Sequence, residues 1–270
     1  MPPSLRKCEV CGCRDASELT AYTASPWPVV ACNDCGFVFL HHVPGYAALA
    51  EEFAWEKTFS AEKTRRTSRK WHWLDRATRW RLRLGKSQDS ARQIRALGKA
   101  GNALDIGCGG ACRLPPGLTP FGIEISSALA SHARPLFEAR GGTVYCTPAI
   151  EGLQRFDDNF FHAIMMRSYL EHEEHPRAVL EAGFRKLAPG GVIYVRVPDF
   201  GSVNRRLRGA KWCGFRFPDH VNYFTGRSLS ALARGIGYAY RRKNIFSVLD
   251  DNLSVELLKP AVAAAISQRA

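Results

Sequence analysis

Two groups of side chains in this 270-residue sequence are spaced so that they could do chemistry. Four cysteines form two C-x-x-C-G knuckles, Cys8 with Cys11 and Cys32 with Cys35, separated by a hairpin-length spacer. Each pair turns two thiolates toward one ion, and two pairs complete the closed tetrahedral shell of a structural zinc. Four ligands leave no open position for catalysis, so the ion's work is to fold about 45 residues too few to build their own core. Cys13 is near enough to replace Cys11, although Gly12 matches the knuckle that Cys11 ends. The second group is Arg167-Ser168-Tyr169-Leu170-Glu171-His172, with His220 in Pro218-Asp219-His220. Histidine is the natural base near neutral pH, which makes His172 and His220 candidates, with Tyr169 and Glu171 beside them. Either histidine can instead serve only to support a loop.

Such groups need elements to position them. Ala103 to Ile106 reads as a buried strand, Gly107, Gly109 and Gly110 as a turn, and Phe121 to Ile125 as a second apolar strand with Glu124 near its end. Glycines let a backbone approach a ligand closely and supply positive φ. A carboxylate at the tip of the neighbouring strand can accept both hydroxyls of a ribose, off the carboxyl ends of an open α/β sheet. A dinucleotide site would want G-x-G-x-x-G and a pyrophosphate on the helix N-terminus. Here the run is G-C-G-G-A with Asp105 just ahead of it, an acid that repels pyrophosphate and favours an ammonium or sulfonium. The pocket suits an adenosyl cofactor that carries a cationic amino acid.

With these residues in view, L-D-I-G-C-G followed by G-I-E-I-S resembles the first two motifs of class I S-adenosylmethionine-dependent methyltransferases. Downstream, FFHAIMM reads as a buried strand, RSYLEHEEHPRAVLEAGFRKLAPGG as a helix closed by Pro-Gly-Gly, and VIYVRVPDF as an alternating strand. These pieces follow the family's order over residues 99–200. The segment KWCGFRFPDHVNYFT (211–225) is similar to a type 23-like branch that includes small-molecule and sugar methyltransferases. The resemblance implies an α/β fold: a Rossmann-like sheet with helices on both faces and S-adenosylmethionine as cofactor. It assigns cofactor contacts to Asp105, Gly107, Cys108, Gly109, Glu124, Ile125, Pro148, Ala149 and Arg167. Tyr169-x-Glu171-His172 resembles the Y-x-E-H of sugar C-methyltransferases, which implies a base role for His172. The family often has an acid beside the adenine, and Glu151 is the nearest one here. Two features depart from the pattern. The third glycine is Ala111, and Pro115 and Pro116 cut short the helix that should follow, so the cofactor's amino-acid end is expected to be held differently.

A hydrophobic content of 46% over this length provides one α/β core and a small appendage. The expected units are a zinc ribbon over 1–45, a basic helical lid or linker over 46–98, and a cofactor-binding domain over 99–270 with a substrate-side insertion at 201–226. Ser127 to Arg140 reads as a helix, Thr143 to Cys146 as the third strand, and the terminal AVAAAISQRA as a frayed helix. The sequence shows neither a secretory pattern nor an apolar run near the roughly 20 residues of a membrane span. With four of nine cysteines in metal-type pairs, the expectation is a soluble cytoplasmic protein.

The net charge of +13 is concentrated between Glu62 and Lys99, where thirteen Lys or Arg face three acids. Trp55, Trp71, Trp73 and Trp80 interleave with these cations. A lid whose tryptophans are core, a site for phosphate-bearing substrates and a membrane-surface helix all remain open. The expected activity is methyl transfer to a small or carrier-linked metabolite, such as a sugar or nucleotide-sugar, with an anionic handle. A ribosomal RNA base methyltransferase is the alternative, with steeply salt-dependent nucleic-acid binding but no N-P-P-Y-type tetrad in the sequence. A non-catalytic binding protein with a degenerate core is the third reading.

Overall fold

The computed structural model describes residues 6–43, 101–243 and 250–261. The 46–98 unit, its tryptophans and arginines, and the terminal AVAAAISQRA after its first residue, Ala261, lie outside the described residues. The larger sheet is built from β4 (Gly101–Ile106), β5 (Leu118–Glu124), β6 (Thr143–Cys146), β7 (Phe161–Arg167), β8 (Leu187–Pro198), β10 (Ala239–Arg242) and β11 (Asn252–Leu258), in the order β10-β11-β8-β7-β4-β5-β6. β4 through β8 run parallel, and β11 is inserted antiparallel between β8 and β10. The central strands are nearly continuous apolar runs, as burial on both faces of a parallel sheet requires. On one face Leu104, Ile106, Met166 and Val195 pack with Leu153, Val179, Leu180 and Leu229 from α2 (Ala149–Gln154), α3 (Pro176–Lys186) and α5 (Gly226–Ile236). On the other, Ala103, Met165 and Tyr194 pack with Ala130, Ala133 and Phe137 of α1 (Ser127–Glu138). Each fully buried Leu or Ile contributes about 1.5–3 kcal/mol relative to exposure.

Two segments differ from the sequence expectation. The helix expected from Arg167 begins only at Pro176, because Ser168 adopts φ 54° and the His172 N–H closes a turn on the Tyr169 carbonyl at 2.9 Å. Its Pro-Gly-Gly end lies inside β8, where Gly190 has φ 75°. Between β4 and β5 there is no helix at all. The carbonyls left by this proline-containing loop are taken by one side chain: the Arg140 guanidinium donates to Leu114 O at 2.8 Å, to Leu118 O at 3.1 Å and to Pro115 O.

A second, four-stranded sheet has the order β1-β2-β3-β9. Its first three strands, Ala16–Glu18, Val29–Cys32 and Val38–Leu40, come from the N-terminal ribbon, and β9 (Asn222–Tyr223) from the 201–226 segment. That segment also carries α4 (Val203–Arg208). The two regions share apolar contacts, since Val10, Phe37 and Phe39 cluster with Leu170 and Phe224, and Val38 and Leu40 with Trp212, Phe215 and Tyr223. The ribbon therefore draws its core from the larger domain.

Candidate active site

The glycine turn is set by β4 and its neighbour β5. Gly107 and Gly109 have φ of 70° and 63°, which a side chain would strain. The Gly107 N–H donates back to Ile123 O at 2.8 Å, so the turn hooks over the end of β5. Glu124 locks the arrangement: its carboxylate accepts from Gly109 N–H at 2.8 Å and from Ser126 N–H at 3.0 Å. A carboxylate has about four lone-pair positions, so this leaves capacity for ligand hydroxyls. Ile125, directly after β5, is a large apolar side chain left 37% exposed. Pro148 follows the end of β6 as the N-cap of α2, and Ala149 after it is buried. Glu151 lies in the first turn of α2 and accepts from Thr147 Oγ1 at 3.0 Å. Cys108 is fully buried, and a Cβ on Gly122 would sit 3.0 Å from its Sγ. Its side chain belongs to the core, with Sγ donating to Gly109 O at 3.5 Å.

Asp105 is 2% exposed, and its Oδ2 has no hydrogen-bond partner among the described residues. Burial pushes its pKa up to about 7, against the pull of Arg113 and Arg167, and nearby Glu124 adds to the rise. A buried, unsatisfied carboxyl beside a glycine turn fits a cationic group of a ligand. The strand register explains its company. Asp105 pairs with Met165, which pairs with Tyr194, while Arg167 pairs with Arg196 two positions on. Alternation puts Asp105, Arg167, Tyr194 and Arg196 on one face at the carboxyl end of the sheet. Arg167 is lowered from the usual arginine range by burial and then by Arg113 and, less, Arg196, with Asp105 opposing. Buried Arg196 Nε and Tyr194 OH have no partners among the described residues. Arg113, whose Nη1 donates to Cys108 O at 3.1 Å, comes from the helix-less loop. Sequence reasoning missed Arg113 and Arg196, although the alternation of Y-V-R-V at the end of β8 puts Tyr194 and Arg196 on a common face.

The lip after β7 holds the expected catalytic candidates. Tyr169 covers the glycine turn: a Cβ on Gly107 would lie 3.1 Å from its ring. Its hydroxyl donates to Glu173. Glu171, His172 and His220 come together, with one ligand-type atom from each within 4.8 Å of the others. The rings of His172 and His220 meet edge to face at 4.7 Å. His172 Nδ1 donates to Asp219 O at 2.9 Å and His220 Nδ1 to Gly214 O at 2.8 Å. Both acceptors are carbonyls, so both neutral rings carry their lone pair on Nε2. Burial, then the Arg216 charge, lowers His172 to about 4, against its bond to Asp219. Burial raises Glu171 to about 8, against its own backbone N–H, Arg216 and Arg196. His175 caps α3 with a largely exposed ring.

The ribbon reaches this lip. Glu171 O accepts from Val221 N–H at 2.8 Å and Asn222 N–H at 3.1 Å, next to the pairing of β9 with β3. Arg177 donates to Glu9 O at 2.9 Å and Val10 O at 2.6 Å. The two knuckles are closed alike: Gly12 N–H on Cys8 O at 2.8 Å, Gly36 N–H on Cys32 O at 2.9 Å, with both glycines at positive φ. Cys8, Cys11, Cys32 and Cys35 converge, with Cys8–Cys35 and Cys11–Cys32 sulfur pairs at 3.4 Å, and they could hold a zinc ion. Such spacing is close to the edge of a tetrahedron with Zn–S of about 2.3 Å. Cys13 instead bonds to the backbone of Asp15, and neither His41 nor His42 joins the four sulfurs. None of the described helices is long and apolar enough to cross a membrane.

The YcgJ protein of Bacillus subtilis superposes with a TM-score of 0.50 at 14% identity, over 65% of this chain and 99% of its own. An S-adenosylmethionine-dependent methyltransferase of Archaeoglobus fulgidus gives 0.48 at 14% identity, over 65% and 95%. In sequence, the uncharacterized protein MJ1123 of Methanocaldococcus jannaschii is 26% identical over 159 residues, 58% of this chain and 75% of that protein. Residues 66–243, more than half of the chain, match a family model described as a methyltransferase domain, and the chain belongs to that family of S-adenosylmethionine-dependent methyltransferases.

Proposed function

We propose that the protein transfers a methyl group from S-adenosylmethionine to a small or carrier-linked metabolite with an anionic group, a sugar or nucleotide-sugar being the first candidate. The observation that carries this reading is the arginine group at the carboxyl end of the sheet. Arg167 and Arg196 are register partners on the face that Asp105 shares, the charge of exposed Arg113 acts on Arg167, and Arg196 Nε is buried without a partner among the described residues. Guanidiniums held close at such a cost suit a carboxylate or phosphate, which they grip bidentately.

The cofactor, when bound, supplies an electrophilic methyl on a sulfonium. Glu124 would take its ribose hydroxyls, Asp105 its cationic end, Ile125, Pro148 and Ala149 its adenine, and the backbone of Gly107, Cys108 and Gly109 would run beneath it. Arg167 and Tyr169 line the approach to the methyl. In-line displacement needs the acceptor held in geometry above all, and the proton of an acceptor that carries one falls to the group formed by Glu171, His172 and His220. A zinc ion on Cys8, Cys11, Cys32 and Cys35 would hold the ribbon, and through β9 the lip.

The test is label transfer from methyl-labelled S-adenosylmethionine into nucleotide-sugars and, in parallel, ribosomal RNA. Incorporation into an anionic small molecule, lost in Arg196→Met, is the expected outcome. Incorporation into RNA alone, falling steeply with salt, would replace this reading with the nucleic-acid one.

A further inference from the structure

We infer that Glu171, His172 and His220 form a second metal centre, a two-histidine, one-carboxylate site for a divalent cation such as Mn2+, Fe2+ or Co2+ at the methyl-transfer lip, distinct from the four-cysteine ribbon. The inference rests on the methyltransferase reading of this lip.

Three observations converge on it. The ligand-type atoms of the three residues lie within 4.8 Å of one another, close enough to converge on one ion with a small side-chain adjustment. Both imidazoles are oriented in the way metal-binding histidines are: each gives its Nδ1–H to a backbone carbonyl, Asp219 O and Gly214 O, which fixes the tautomer with the lone pair on Nε2. Glu171 is 2% exposed and its Oε2 has no hydrogen-bond partner among the described residues, although its backbone carbonyl accepts two N–H groups and holds the residue in place. A buried carboxylate oxygen left without a donor is costly unless something cationic meets it. Arg216 and Arg196 are the guanidiniums whose charges reach Glu171, yet neither donates to its Oε2, and Arg216 pairs with Asp219 Oδ2 at 2.9 Å.

Imidazole and carboxylate donors in this ratio suit borderline first-row cations and leave coordination positions open, unlike the closed sulfur site of the ribbon. Oxygens of the acceptor would fill those positions. The ion would orient a hydroxyl or carboxylate of the substrate and make a bound hydroxyl more acidic, its proton passing to solvent. With the ion bound, Glu171, His172 and His220 are ligands and no longer the proton acceptor that the metal-free lip would offer, and the substrate class narrows to acceptors with an oxygen beside the methylated atom.

The experiment uses full-length protein with zinc already on the ribbon. It is titrated with Mn2+ by calorimetry, and metal content is measured after gel filtration; S-adenosylhomocysteine binding is measured on the same samples. The expected result is one manganese ion per chain in addition to zinc. Binding should weaken at least about tenfold in Glu171→Gln and in His220→Gln, and less in Glu171→Asp, which keeps the charge. S-adenosylhomocysteine affinity should stay near wild type in all three. Wild-type protein that binds S-adenosylhomocysteine but takes up no manganese, or uptake indifferent to the Glu171 and His220 changes, overturns the second metal centre. Failure to bind S-adenosylhomocysteine at all would overturn the methyltransferase reading itself, whatever the metal does.

Discussion

The guanidinium of Arg6 and the side-chain amide of Asn222, 216 positions apart in the chain, meet at 3.0 Å in the buried seam between ribbon and lip. Arg6 also donates to Leu40 O, Val221 O and Glu174 O, and Asn222 Nδ2 donates to Leu170 O at 2.9 Å and Glu173 O at 2.6 Å. One pair of side chains thus fastens the first ribbon residues to the carbonyls that flank Glu171 and His172. Arg6→Met removes the donor from four acceptors in a buried place. The expected loss is about 2–4 kcal/mol of unfolding free energy, read from urea titration.

Because β9 is bonded to the ribbon on one side and the lip on the other, removal of the proposed zinc ion should act on catalysis as well as stability. In Cys32→Ser the melting temperature and the rate of methyl transfer are expected to fall together. The affinity for S-adenosylhomocysteine, whose proposed pocket lies on β4 and β5, should change less than about threefold. A variant that loses stability yet keeps the wild-type rate in its folded fraction would separate the ribbon from the lip.

Asp105 gives cofactor binding a pH dependence. Burial raises its pKa from 3.8 to about 7, so the cofactor-free protein holds it protonated below that pH. A cationic ligand prefers the ionised form, so affinity for S-adenosylmethionine should rise as pH increases through about 7 and level off above it. Asp105→Asn should flatten the profile and weaken binding at pH 8 by about tenfold or more. Stability of the cofactor-free protein runs the other way: between 3.8 and about 7 the unfolded chain has released a proton that the folded one retains, so stability falls as pH rises. Calorimetric titrations and thermal melts across pH 5.5–8.5 check both.

Gly107→Ala puts a side chain at φ 70° and drives it to 3.1 Å from the Tyr169 ring. A cost of about 1–2 kcal/mol in stability is expected from the left-handed backbone alone. Displacement of Tyr169 should lower the transfer rate further, whereas Gly12→Ala, with open space around it, should show only the backbone cost in stability.

The glycine turn, its two acids and the order of strands were legible because each rests on local chemistry: apolar runs of strand length, positive φ, a carboxylate at a strand tip. The meeting of Glu171, His172 and His220 was legible only as separate candidates, since 48 positions of chain and the 214–220 turn bring His220 back to the lip. The late start of α3 was missed because Tyr169 to His175 has good helix formers, and what overrules them is the left-handed Ser168 and the bonds from Val221 and Asn222. Arg6 and Arg140 gave no signal. Neither belongs to a motif, and the importance of each comes from backbone carbonyls that tertiary structure leaves without donors. The sharing of one sheet between ribbon and 201–226 segment was likewise invisible, because β9 is two residues long.

The central claim, a cofactor seated between the glycine turn and Glu124, is tested most directly by calorimetric titration of zinc-loaded protein with S-adenosylmethionine and S-adenosylhomocysteine, repeated on Glu124→Ala. Micromolar binding to the wild type that weakens by at least about thirtyfold in the variant, roughly 2 kcal/mol, is the predicted result. Wild-type protein that binds neither compound would contradict the account.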